Sequence, residues 1–169
     1  MILAKTRLEI TSKANMKAKY TVYRQDNTLP RAARNFGRSD LFSQAVFLSA
    51  ASLLKEGEYN LDPENTGLLA VNSYGALPVN LDYFQDYVEN GRSLGRGNLF
   101  IYTLPTSALA ETAIYWGYKG PLLYMSFREN ATDKTFAQVQ SMIANKEAQT
   151  MMVFSGDTQY IESFLIQGD

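Results

Sequence analysis

Gly67-Leu68-Leu69-Ala70-Val71-Asn72-Ser73 is apolar without a break through its middle and is bounded on both sides by turn-forming residues. A strand with one wet face alternates polar and apolar side chains, so an unbroken run of this length is the pattern of a strand covered on both faces. A central parallel strand is the simplest account. It requires helices on either side.

Those helices are legible in the flanking sequence. Leu41, Phe42, Ala45, Val46, Ser49, Ala50, Leu53 and Leu54 recur at intervals of three and four, with Ser39 placed as N-cap and Gly57 closing the pattern. Downstream, Tyr83, Phe84, Tyr87 and Val88 predict a helix from about Leu81, ended by Asn90-Gly91. The segment GRSLGRG then leads to LFIYTLP, and a helix begins after Pro105 with Leu109, Ala113, Ile114 and Trp116 on or near one face. Gly117 to Pro121 reads as a turn and Leu122 to Ser126 as another buried strand. Thr132 reads as the cap of a last helix carrying Phe136, Val139, Met142 and Ile143.

The two ends complete the sheet. The opening predicts a strand from about Ile2 to Thr11, then an irregular stretch from Ser12 to Gly37 with room for a short strand at Tyr20 to Arg24. Gln149 to Ser155 and Tyr160 to Gln167 read as two strands around Gly156-Asp157. The alternation predicts an α/β fold, a three-layer domain with a mixed sheet flanked by helices, formed by residues 1–169 as a single domain.

Composition narrows the function. A chain of 169 residues that is 46% hydrophobic can bury roughly 70% of its unfolded surface, enough for one core without a metal or disulfide. Its formal net charge of -1 supplies no field to attract nucleic acid or an anionic membrane. The opening alternates instead of running apolar to a cleavage site, and no stretch approaches the ~20 apolar residues that span a bilayer, so the expected location is cytoplasmic.

There is no cysteine and no histidine. That excludes thiolate nucleophiles, Ser-His-Asp triads and imidazole or thiolate metal sites. A metal site would need carboxylates alone, and the one close helical pair, Asp82 and Asp86, reads as a solvated face, so no metal and no cofactor is expected. Gly91 to Gly97 lacks the phosphate-loop pattern and reads as a plain loop, with anion contact by Arg92 or Arg96 as the alternative. Ser107 and Ser126 read as structural hydroxyls.

In order, GRSDLFSQAVFLSAASLLKEG, TGLLAVNSYG, LFIYTLPTSALAETAIYWGYKGP, PLLYMS and TMMVFSGD resemble the first long helix, second strand, helix-turn, nucleophile strand and closing strand of the N-terminal half of β-ketoacyl synthases. The resemblance covers about residues 36 to 160. It is to the thiolase-like superfamily, and especially to short ketoacyl-synthase-like N-terminal domains of bacterial polyene and fatty-acid-like clusters. It implies a three-layer thiolase-like half-domain. Counting from Gly120-Pro121 it puts the family's nucleophilic cysteine at Glu129, and the family's catalytic histidines belong to a C-terminal half that this sequence does not contain.

The resemblance therefore implies a non-catalytic, ketosynthase-like accessory or partner subunit, as chain length factors are inactive partners of active synthases. The expected partner is a second copy or a full-length ketosynthase, met through Leu122, Leu123, Tyr124 and Met125 with the flanking helices. A lone half is expected to leave apolar surface that asks for such a partner. An alternative is an acyl-chain or acyl-carrier-protein binding module: Arg31, Arg34 and Arg38 fall at helical spacing in a stretch where six bases from Lys17 to Arg38 meet one acid, Asp26. A third reading makes Glu129 the general acid or base of an unrelated enzyme.

Overall fold

A computed structural model describes residues 1–57, 59–90, 97–127 and 131–168. Its elements are β1 (Ile2–Glu9), α1 (Lys13–Gln25), α2 (Leu41–Gly57), a single 3₁₀ turn (Pro63–Asn65), β2 (Thr66–Val71), α3 (Leu77–Glu89), α4 (Gly97–Ile101), α5 (Ser107–Trp116), β3 (Leu122–Met125), α6 (Ala131–Ala144), β4 (Thr150–Gly156) and β5 (Tyr160–Gln167). The strands form one sheet in the order β1-β5-β4-β2-β3. β2 runs parallel to β3 and to β4, while β5 is antiparallel to both β4 and β1, so the sheet is mixed.

Every residue of β2 is buried, as its continuous apolar run requires. Side chains alternate between faces along a strand. Leu68 and Ala70 of β2, Met152 and Phe154 of β4, and Ile161 and Leu165 of β5 join one core with α1, α2 and α5. Leu69 and Val71, Met151 and Val153, and Phe164 and Ile166 join a second core with Val139 and Met142 of α6. Two cores on opposite faces of one sheet make the three layers. No helix among the described residues is long and apolar enough to cross a membrane.

Four expectations are corrected. The stretch from Ser12 is helical: the Ser12 hydroxyl accepts from the Asn15 N–H at 3.2 Å, opening α1. Met16, Tyr20 and Tyr23, spaced by four and three, form its inner stripe, and Lys, Ala, Gln and Arg around them are strong helix formers. The cap of α2 is Asp40, whose carboxylate accepts from the N–H groups of Phe42 at 3.0 Å and Ser43 at 3.2 Å, while the Ser39 hydroxyl donates to the Phe36 carbonyl. α3 starts at Leu77, four residues early, because Pro78 fits the unpaired first turn of a helix. Thr132 lies inside the first turn of α6 instead of capping it.

The turn between α5 and β3 depends on two glycines. Gly117 takes φ 78°, the left-handed conformation that ends α5, and its N–H bonds the Ala113 carbonyl at 2.7 Å. Gly120 lies against the backbone of β2: a Cβ there would stand 2.4 Å from the Thr66 carbonyl oxygen. That close approach docks β3 onto β2.

Candidate functional site

Parallel strands gather their C-terminal ends on one side of a sheet, and ligands of open α/β folds bind there. Here that end is formed by the segments following Val71, Met125 and Gly156. Asn72 organises it. Its side-chain oxygen accepts from the N–H groups of Tyr74 at 3.0 Å and Gly75 at 2.6 Å and from the Tyr124 hydroxyl at 2.9 Å, joining the loop after β2 to β3. Gly75 takes φ 63°, and beside it lie the Tyr124 hydroxyl and the Pro105 ring, so β3 and the entry to α5 share a corner.

A cavity of about 200 Å³ opens beside this corner, between the starts of α2 and α3 and the approach to α5. Phe42, Tyr74, Tyr102, Val79 and Leu104 supply its apolar wall. The Tyr74 hydroxyl donates to the Asp157 carbonyl at 3.1 Å, and the Tyr102 hydroxyl to Glu111 Oε1 at 3.1 Å. Both phenols are held well above the ordinary tyrosine range, chiefly by burial and secondarily by nearby carboxylates, so they remain neutral.

Glu129 lies outside the described residues, as do Arg92 and Arg96. Arg31, Arg34 and Arg38 sit in bends and turns instead of on a helix, and Arg31 and Arg34 line one cavity with Glu111 and Tyr115. Arg31 is held against α5: its backbone N–H and guanidinium bond the Tyr115 hydroxyl and carbonyl, and the guanidinium stacks 4.9 Å from the Tyr115 ring. All three arginines are exposed. The Ser107 hydroxyl donates to the Ile101 carbonyl, and Ser126 lies beside the Tyr124 phenol. Asp86 accepts from Asn90 at 2.8 Å, and among the described residues no group of three acids is placed to hold a metal.

Leu122, Leu123, Tyr124 and Met125 form the outermost strand of the sheet. The expectation of a buried strand is corrected: among the described residues β3 pairs with β2 alone, and Leu122 is 38% exposed. The Leu68 N–H donates to the Pro121 carbonyl at 2.9 Å, so Pro121 turns its carbonyl toward β2. Main-chain polar groups alternate in direction along a strand, which turns those of Leu122 and Tyr124 outward.

A second surface lies across the shared corner. Leu77, Leu81, Phe84 and Val88, at spacings of four, three and four, put a continuous apolar stripe on α3, and each is between 50% and 64% exposed. Phe100 and Ile101 of α4 and the nearby Leu104 are equally exposed, and the Phe100 and Tyr83 rings meet at 5.8 Å. No sequence signal separated this stripe from a core-facing one, because helical periodicity reports amphipathicity and not what covers it.

The sheet face that carries α6 is different. Beyond the helix, at β1 and β5, it bears Lys5 paired with Glu162 at 3.2 Å and stacked on Phe164, and Arg7 stacked 3.9 Å from the Tyr160 ring. Charged heads over apolar rings suit a wet surface. Exposed apolar side chains therefore mark α3, α4 and the start of β3, and not this part of the α6 face.

No family model matches the chain, and no curated protein matches it. Solved structures do. One, the ishigamide ketosynthase/chain length factor, matches with a TM-score of 0.69 at 15% identity over 85% of this chain, which spans 47% of that one. Another, a ketosynthase in complex with its chain length factor from Xenorhabdus doucetiae, matches with a TM-score of 0.69 at 11% identity over 100% of this chain and 79% of its own. The molecule thus has the thiolase-like α/β fold of ketosynthases and chain length factors.

Proposed function

We propose that the chain is a cytoplasmic, non-catalytic ketosynthase-like subunit that acts by pairing with a ketosynthase in a fatty-acid or polyketide-like, polyene-type pathway. The observation that carries this is the outer edge of β3, unpaired among the described residues, which shares the Gly75 corner with the segment bearing the exposed apolar stripe of α3. An open strand edge accepts a strand from another chain, and an apolar patch of this kind marks an association surface.

Two further observations support it. Without cysteine or histidine, these residues offer no thiolate or imidazole for condensation chemistry. One structural match is a ketosynthase bound to its chain length factor, and the same kind of pairing suits a chain with this fold. Co-purification with a ketosynthase encoded beside it tests the proposal: a stable complex is expected, and two separately eluting proteins would count against it. Self-association through the same edge is the competing outcome, read as a homodimer mass.

Exposure of Arg34 and Arg38 favours a second reading, contact with an acidic acyl carrier protein. It requires salt-sensitive binding that charge reversal at both arginines abolishes, with Arg31 excluded from the test because it holds α5.

A further inference from the structure

We propose that the cavity between the starts of α2 and α3 is a binding site for a small organic cation with an apolar tail, such as an alkylammonium. The cavity, about 200 Å³, has room for a ligand of this size, and its place at the C-terminal end of the parallel strands is where this class of fold binds ligands. This goes beyond pairing and does not depend on it.

The lining selects the charge. Three aromatic residues line the cavity, Phe42, Tyr74 and Tyr102, and the Phe42 and Tyr74 rings meet edge to face at 6.2 Å and 80°. The two phenol hydroxyls are occupied by Asp157 and Glu111, so these residues offer a ligand their ring surfaces. Ring faces carry negative potential and attract ammonium groups.

Two carboxylates, Asp40 and Asp82, line the same cavity against one ammonium, Lys13. The Asp40 carboxylate accepts from the N–H groups of Phe42 and Ser43 and from the Ser43 hydroxyl. Its charge is felt at both Tyr74 and Tyr102, where it helps to keep the phenols neutral. A free carboxylic acid or phosphate ester would meet repulsion from this set, and an alkylammonium would meet attraction.

Titration of the whole chain with hexylammonium, hexanol and hexanoate, followed by calorimetry or amide chemical shifts, tests the site. Hexylammonium is expected to bind most tightly and hexanoate least. Asp40→Asn retains the helix cap, because asparagine caps as well as aspartate. Combined with Asp82→Asn it is expected to weaken hexylammonium by about fivefold to tenfold and to leave hexanol unchanged. Lys13→Gln is expected to tighten hexylammonium. Val79→Trp, with folding checked by circular dichroism, is expected to abolish binding of all three. Hexanoate binding as well as hexylammonium, indifference to the double Asn variant, or no binding of any probe would each overturn the proposal.

Discussion

Replacing Gly120 with alanine is expected to detach β3 from β2 and to destabilise the whole domain. The new Cβ would stand 2.4 Å from the Thr66 carbonyl oxygen, 2.5 Å from its carbon and 2.8 Å from the Gly67 nitrogen, all of them backbone atoms that no rotamer change can move. Ordinary contact begins near 3.4 Å, so the strand must retreat by about 1 Å. Two bonds span that gap, Gly120 N–H to the Thr66 carbonyl at 3.1 Å and Leu68 N–H to the Pro121 carbonyl at 2.9 Å. Losing both costs about 1 kcal/mol each, and residual overpacking adds about 1–2 kcal/mol. A total of about 3–4 kcal/mol lowers the Tm of a domain of this size by roughly 6–16 °C. Thermal unfolding followed by circular dichroism measures it. A Tm within about 2 °C of the parent would refute the close approach, and with it the placement of β3 against β2.

Leu122→Pro removes an N–H that the strand alternation turns away from β2, so Tm is expected to hold within about 3 °C while association through the β3 edge is lost in gel filtration. Arg31→Ala is expected to lower Tm because the guanidinium holds the end of α5, whereas Arg34→Glu and Arg38→Glu leave thermal unfolding unchanged. Raising the pH also separates folded from unfolded chains. Tyr74, Tyr102 and Tyr118 have folded pKa values raised by burial, so above the ordinary tyrosine pKa of about 10 the unfolded chain loses protons that the folded one keeps, and stability falls as pH rises. Tyrosinate absorbance is expected to show these three titrating last, together with unfolding; independent titration of all tyrosines before unfolding would contradict it.

The layering was legible because it follows from local signals. An unbroken Leu68 to Val71 run forces cover on both faces, and the three-four spacing of α2 supplies one of the covers. α1 escaped notice because among the described residues it buries Met16 alone, too little to raise the helical pattern above its lysines. Whether β3 is central or at an edge is set by which strand lies beyond it, and four apolar residues read alike in either place. The candidate site was harder to see. Asn72 acts through its side-chain oxygen on three donors brought together by two strands and a turn, and a single asparagine after a strand carries no signal of that role. The cavity draws on residues from Ile10 to Thr158, a separation that no linear motif spans.

The most direct test of the proposed pairing through the β3 edge is the light-scattering mass of the chain mixed with a ketosynthase, measured for the parent and for Leu122→Pro at micromolar concentration. A one-to-one complex formed by the parent and lost in a folded Leu122→Pro variant is the expected result. A monodisperse monomer in both mixtures, or a complex that survives the substitution unchanged, would contradict it.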